Sequence, residues 1–273
     1  MIPEFKTIDE RFEYLRANKR LLITAKKSVI KFSDPVSHIG TEEETGLYAA
    51  KALTKIQQDF TVLNVKAAIN TTNIMDSHSD VHIPGLWSKS LKERKDLYLL
   101  KEHKLAFENI ISDEIKASAQ SMAWKELGYN YEGKTEALVF DATIEKERNP
   151  YMAEQYAKGR VKQHSVGMQY VKLFLCMNSE SKFDQEEKAN WDKYISQVVN
   201  RKDAEAQGYF WAVTEAKVIE GSAVPLGSNY ATPVISITGD ESKTLNPAGQ
   251  TTESEPLQLG KIAEAIKQSF TNN

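Results

Sequence analysis

The alternation of apolar and polar positions along the chain predicts a mixture of helices and strands. Apolar residues interleaved with Arg, Lys and Glu predict amphipathic helices over residues 8–31 and 42–58. A further helix is expected to begin at Asn149-Pro150 and to end at Gly159. Shorter apolar or alternating runs predict strands at residues 61–69, 97–100, 137–140, 164–173 and 210–219. This order of elements is typical of an α+β domain with a largely antiparallel sheet or barrel.

Changes in composition divide the chain into three parts. Residues 1–59 are predicted to form an N-terminal helical extension, and residues 60–237 the main domain. Residues 182–206 are charged and mostly helical in pattern, which predicts an insertion between two strands of that domain. Residues 238–273 begin with a run rich in Gly, Ser, Thr, Pro and Asn, which is typical of a flexible or disordered tail.

Overall composition excludes several classes of protein. Charged residues make up 27% and hydrophobic residues 41%, as in ordinary soluble domains. The formal net charge of -3 does not favour nucleic acid as a partner. No apolar run reaches the roughly 20 residues that a membrane-spanning helix needs, and the polar start is not expected to be a signal peptide. The single cysteine, Cys176, lies in an apolar run and is expected to be an inert buried thiol.

Five histidines are the first candidates for catalysis: His38, His78, His82, His103 and His164. A serine nucleophile needs a nearby base, and a third group usually orients that base. His103 follows a predicted buried strand and is therefore a candidate base. A lone histidine at a strand end is more often structural or solvated than catalytic. Spacing alone does not identify a triad either, because catalytic triads occur in several sequence orders on unrelated folds.

A metal site is an alternative reading of one short segment. Asp76, His78, Asp80 and His82 occupy every second position, so on a strand they would share one face. Imidazole and carboxylate groups are both ligands for zinc. The competing interpretation is a polar loop, in which Asp and Asn side chains bond to the local backbone.

Four segments in order resemble the prohead protease family of tailed phages. They are residues 75–87 (MDSHSDVHIPGLW), 99–103 (LLKEH), 164–168 (HSVGM) and 213–224 (VTEAKVIEGSAV). In that family the second segment carries the catalytic histidine and the third the nucleophilic serine. The resemblance covers residues 70–235 and implies an assemblin-like fold, a small and mostly antiparallel β-barrel surrounded by helices.

The resemblance also implies the residues of the active site. His103 and Ser165 would be the catalytic pair, with a third member on the later strand. By motif position that member is Glu215, and Glu220 is the alternative; an odd separation places the two on opposite faces of a regular strand. Gly167 is expected either to let the backbone approach substrate or to mark a strand bulge.

By the same resemblance the chain is expected to be a serine endopeptidase, with no cofactor, that matures a phage procapsid. It would cleave the scaffold protein or the arm of the major capsid protein, and also itself, inside the assembling procapsid in the host cytoplasm. A prophage-encoded copy would act in a bacterial cytoplasm. Self-association is expected from the likeness to assemblins. Two alternatives remain: a non-enzymatic scaffold or capsid-assembly protein, and a metal-dependent hydrolase using Asp76, His78, Asp80 and His82.

Overall fold

The computed structural model describes residues 3–30, 59–94 and 96–240. Within these ranges the helices are α1 (Ile8–Ser28), α2 (Ser88–Glu93), α3 (Pro150–Ala157), α4 (Gln185–Tyr194) and α5 (Arg201–Gln207). The strands are β1 (Val62–Thr71), β2 (Asp80–His82), β3 (Leu99–Lys101), β4 (Ile110–Ser112), β5 (Glu114–Ala123), β6 (Lys134–Glu145), β7 (Gln163–Met177), β8 (Tyr209–Val224) and β9 (Val234–Gly239). The predicted helix over 42–58 and nearly all of the predicted tail lie outside the described residues.

The N-terminal helix α1 packs into the main core. Thr7 caps its first turn by accepting a hydrogen bond from the backbone N–H of Glu10. Phe12 and Leu15, one helical turn apart, are buried in the same apolar cluster as the strands. The described part of the predicted N-terminal extension therefore belongs to the same compact unit as the strands, residues 1–242.

Two sheets form the framework, and both are rich in antiparallel pairs. The first has the order β5-β6-β1-β9, with every neighbour antiparallel. In the second, β8 pairs antiparallel with β7 on one side and parallel with β2 and β3 on the other, and β3 pairs with β4. The predicted α+β class is confirmed. In the described ranges the strand pairing does not close into a barrel.

The two sheets come into close contact at Gly221 of β8. A Cβ at this position would lie 2.6 Å from Phe140 Cε2 and 3.0 Å from Ile69 Cγ2, so only glycine fits here without movement of the core. Phe140 lies on β6 and Ile69 on β1, both in the first sheet. This contact fixes the neighbouring residues of β8 against the opposite sheet.

The predicted insertion folds as the helices α4 and α5. Its residue Asp184 is fully buried and accepts two hydrogen bonds from the guanidinium of Arg16 on α1, at 2.6 and 2.8 Å. This bidentate pair holds the insertion against the N-terminal helix. In the described part of the chain, no helix combines the length and apolar character needed to cross a membrane.

Candidate active site

The pairing of β7 with β8 places four residues on one face of the second sheet. Ser165 lies directly opposite Ser222, and Gly167 directly opposite Glu220. Residues opposite each other in an antiparallel pair share a face, as do residues two apart on one strand. The predicted nucleophile therefore lies beside the acidic residue that was the alternative third member.

His103 reaches the same face from the other side of β8. Strand β3 runs parallel to β8, with Leu100 aligned to Ser222, and the chain turns after Lys101. Glu102 and His103 both have positive φ, at 54° and 57°. Such conformations are uncommon for residues other than glycine and are concentrated at functional sites. The backbone N–H of His103 donates to Ser222 Oγ at 3.0 Å, which fixes the turn to β8.

A carboxylate engages the imidazole of His103. Glu220 Oε1 lies 2.6 Å from His103 Nδ1, and the side chains of the two residues are 3% and 8% exposed. Ser222 Oγ donates to the other oxygen, Glu220 Oε2, at 2.7 Å. A carboxylate at Nδ1 favours the tautomer that carries its proton there, so that Nε2 presents a lone pair. This tautomer is the one a general base requires.

The prediction that Glu215 is the carboxylate partner of His103 is wrong. Glu215 Oε1 instead lies 3.7 Å from Lys89 Nζ, on a partly exposed part of β8. It is seven residues from Ser222, or about 23 Å along a strand that rises ~3.3 Å per residue. Glu220, two residues from Ser222, holds the position that motif alignment gave to Glu215.

Ser165 lies at the wall of a narrow cavity. It is 7% exposed, and its hydroxyl makes no hydrogen bond with the part of the chain that the structure describes. The cavity is also lined by Asn70, near the end of β1, and by residues of the loops that follow β1 and β8, among them Asp76, His78, Ser228 and Asn229. The hydroxyl is thus placed at an opening rather than in a structural hydrogen bond.

His164 is adjacent to Ser165 on β7, so its side chain points to the opposite face of the strand. It is fully buried and donates from Nδ1 to the carbonyl oxygen of Thr232 at 3.1 Å. Its Nε2 then accepts from the hydroxyl of Tyr156 at 2.9 Å. Burial lowers the pKa of His164 to about 4, so the ring is neutral near pH 7.

Asp76 and His78 form a turn of the kind that the polar-loop interpretation predicts. Asp76 Oδ1 accepts from the backbone N–H of both His78 and Asp80, each at 2.9 Å. The carboxylate therefore closes an Asx-type turn through its own backbone. This places His78 in a loop and not on a strand in line with Asp80.

Asp80 and His82, by contrast, lie on strand β2 and join a buried network. The carboxylate of Asp80 pairs with Lys26 of α1 and accepts from the hydroxyl of Tyr170 at 2.8 Å. That hydroxyl lies 3.2 Å from His82 Nε2. Over residues 3–30, 59–94 and 96–240, no three His, Cys, Asp or Glu side chains are grouped as a metal would require.

One residue of the site has no clear signal in the sequence. Ser222 is an ordinary serine in an apolar strand, and its pairing with Ser165 and its hydrogen bonds with His103 and Glu220 identify it. Cys176, in agreement with its sequence context, is fully buried, and burial raises the pKa of its thiol.

Comparison with known proteins yields no match to a family model, a curated protein or a solved structure.

Proposed function

We propose that this chain is a serine endopeptidase of the prohead maturation type, in which Ser165 is the nucleophile and His103 the general base. Glu220 is the positioning residue, through its contact with His103 Nδ1. The observation that carries the proposal is this 2.6 Å contact, made beside the strand pair in which Ser165 lies opposite Ser222. The ordered sequence motifs around His103 and Ser165 add support.

The chemistry follows from these positions. His103 Nε2 takes the proton of Ser165 Oγ as that oxygen attacks the carbonyl carbon of a peptide bond. The resulting oxyanion collapses, the C–N bond breaks, and His103 returns the proton to the leaving amine. Water then attacks the acyl-serine with His103 again as base, which releases the new carboxyl end and restores Ser165. The Glu220 carboxylate stabilises the imidazolium in both halves of the cycle.

The substrates proposed are the scaffold protein or the arm of the major capsid protein, and the chain itself. Cleavage would take place inside the assembling procapsid, in the host cytoplasm or, for a prophage copy, in a bacterial cytoplasm. Confinement at high concentration would favour self-association by mass action. The finer fold expected with this function is an assemblin-like barrel, to which the two packed sheets would correspond.

The decisive experiment is self-cleavage of the full chain, followed by intact mass over time. Wild type is compared with Ser165→Ala and His103→Ala. We expect wild type to shorten and both variants to stay whole, and the new termini give the cleavage rule. A fluorophosphonate probe should label Ser165 of wild type but not label His103→Ala.

The same experiment also has an outcome that contradicts the serine endopeptidase proposal. If all three chains stay whole or degrade alike with the capsid protein present, and the probe leaves Ser165 unlabelled, the catalytic assignment fails. The non-enzymatic scaffold function would then account better for the chain.

A further inference from the structure

The hydroxyl of Ser222 makes hydrogen bonds with both partners of the contact between His103 and Glu220. Its Oγ accepts from the backbone N–H of His103 at 3.0 Å and donates to Glu220 Oε2 at 2.7 Å. A serine hydroxyl has a single proton to donate, and here that proton goes to the carboxylate. This hydrogen bond takes up Oε2 and leaves Oε1 to contact His103 Nδ1. One side chain therefore orients the carboxylate and ties it to the backbone of the histidine.

Burial makes these two hydrogen bonds hard to replace. Ser222 is fully buried and Glu220 is 3% exposed, so water does not compete for either contact. A glutamate side chain has several rotatable bonds, and holding it in one conformation costs entropy. A contact at Oε1 alone would leave the carboxylate able to rotate, whereas a second contact at Oε2 fixes both of its oxygens.

The backbone that carries Ser222 is held on three sides. Gly221, between Glu220 and Ser222, packs against the first sheet. At Ser222 itself, β8 is paired with β3 on one side and with β7 on the other. A hydroxyl on this segment is therefore a fixed point, and groups that hydrogen-bond to it are positioned by packed strands rather than by a loop.

The turn that carries His103 depends on the same segment of β8. Glu102 and His103 both have positive φ, which residues other than glycine rarely adopt. Backbone of this kind persists where surrounding contacts over-determine it. Here the backbone N–H of Glu102 donates to the carbonyl oxygen of Ala223 at 3.0 Å, and that of His103 donates to Ser222 Oγ. Ser222 thus helps to hold the histidine as well as the carboxylate.

We propose that Ser222 is a positioning residue whose hydroxyl holds the carboxylate of Glu220 against His103 Nδ1. The inference rests on the proposed function and adds a fourth residue to its site. Ser222 acts through Glu220 and the turn at His103, and not on the reacting atoms. Without the hydroxyl the carboxylate loses its fixed orientation, and the ring of His103 populates both neutral tautomers. Nε2 then carries the lone pair that accepts the proton of Ser165 for only part of the time.

The test uses the full-length Ser165→Ala chain as substrate, cleaved in trans by active chains, with kcat and KM measured separately. Ser222→Ala removes the hydroxyl, and Ser222→Thr keeps one. The matched control is Ser112→Ala, because Ser112 is 1% exposed and lies on β4 of the same sheet. Its Oγ likewise accepts from a backbone N–H, that of Glu114 at 3.1 Å, and donates to an oxygen, the carbonyl of Thr143 at 2.6 Å.

We expect Ser222→Ala to lower kcat by about 100-fold with KM little changed, the loss typical of a misplaced catalytic group. Ser222→Thr should retain more of kcat than Ser222→Ala, and Ser112→Ala should keep the wild-type kcat. Both alanine variants should lower the urea midpoint of unfolding, because each leaves a buried donor and a buried acceptor without their partner. The comparison between them therefore separates lost catalysis from lost stability.

Nitrogen-15 NMR of the His103 ring supplies a readout that lost stability alone does not change. At a pH where the ring is neutral, wild type and Ser112→Ala should show the Nδ1–H form, and Ser222→Ala a mixture of both tautomers. Adding Ser222→Ala to Glu220→Gln should lower kcat little further, because the effect of the hydroxyl passes through the carboxylate that is already absent.

The outcomes that overturn the inference differ from those that overturn the proposed function. If wild type cleaves the substrate, His103→Ala does not, and Ser222→Ala keeps the kcat and ring tautomer of wild type, only the role of Ser222 fails. That role also fails if Ser112→Ala loses as much kcat, if Ser222→Thr recovers none of it, or if the full loss persists alongside Glu220→Gln. If wild type does not cleave at all, both the proposed function and the role of Ser222 fail.

Discussion

The carboxylate of Glu220 lies across the backbone of Gly167. A Cβ at residue 167 would stand 2.0 Å from Glu220 Oε1, the same oxygen that contacts His103 Nδ1. The register between β7 and β8 also shifts immediately after Gly167, so a bulge is present there. Gly167 therefore leaves room for the carboxylate, a role that neither sequence interpretation of this glycine included.

Gly167→Ala should abolish most of the self-cleavage. The added methyl group meets the side chain of Glu220, which must rotate away from it. That movement breaks the contact between Glu220 Oε1 and His103 Nδ1. We expect the first-order rate of self-cleavage to fall by about 100-fold or more, within the range for losing a base-orienting group. Mass spectrometry gives the rate.

Gly221→Ala is the matched comparison and should lower the stability of the fold more than Gly167→Ala does. Its Cβ would meet Phe140 and Ile69 in the packed core, which cannot yield in the same way. Overpacking of this kind costs typically about 1–3 kcal/mol, so the urea midpoint should fall clearly. If Gly167→Ala were instead the less stable variant and kept its cleavage rate, Gly167 would be structural only.

Glu220→Gln and Glu215→Gln form a second matched pair. A glutamine amide at residue 220 would donate to His103 Nδ1 and so place the ring proton on Nε2, where it cannot accept from Ser165. We expect a loss of roughly 1,000-fold to 10,000-fold in cleavage rate, the size seen when the orienting carboxylate of a serine protease is made an amide. Glu215→Gln only weakens an exposed pair with Lys89 and should leave the rate unchanged.

The tautomer of the His103 ring shows whether Glu220 orients that ring or only stabilises the surrounding structure. Nitrogen-15 NMR of the His103 ring should show the Nδ1–H form in wild type and the Nε2–H form in Glu220→Gln, at a pH where the ring is neutral. An unchanged tautomer would mean that the carboxylate does not orient His103.

Sequence patterns predicted the elements that bury one continuous apolar face. Helix α3 begins after Asn149, whose side chain caps the first turn by accepting a hydrogen bond from the backbone N–H of Met152. The helix ends just before Gly159, which has a φ of 63°. Strand β5 was missed because its residues are half-exposed and mostly small or polar, so its hydrophobic signal is weak. Strand β9 was missed because it follows Pro233 and borders a polar run.

Some residues of the candidate site were likewise predicted from the sequence, and one was not. His103 and Ser165 each lie in a recognisable local motif, so the sequence identified them. The acidic partner depends on strand register, and β7 and β8 shift register at three places between Gly167 and Leu173. A shift of one residue changes which side chain shares a face. For that reason the position of Glu220 beside His103 required the structure.

Lys26→Met should lower stability strongly, although Lys26 lies on the predicted extension. Its ammonium pairs with Asp80, whose side chain is fully buried. Breaking a buried ion pair by removing one partner costs roughly 3–5 kcal/mol. Urea unfolding measures the loss, and Lys26→Met with Asp80→Asn should recover part of it.

Lys158→Met is the surface control for that experiment. Lys158 pairs with Glu154 one helical turn earlier, and both side chains are substantially exposed, at 52% and 33%. Exposed pairs contribute only about 0–1 kcal/mol. Equal effects of the two lysine variants would show that the Lys26–Asp80 pair does not stabilise the fold.

Buried His164 should make the protein less stable as the pH falls below neutrality. The folded pKa of about 4 lies below the ordinary value of 6.5, so unfolded chains bind the extra proton first. The stabilisation is complete above pH 6.5 and is lost between pH 6.5 and about 4, by roughly 3 kcal/mol in total. Asp184, whose pKa is lowered chiefly by its hydrogen bond to Arg16, acts in the same direction at lower pH.

Urea unfolding at pH 7.5 and 4.5 measures the change. His164→Asn, which keeps an N–H donor for Thr232 but does not titrate, should be less stable at pH 7.5 yet lose much less between the two values. An equal loss in both proteins would mean that His164 is not the group responsible.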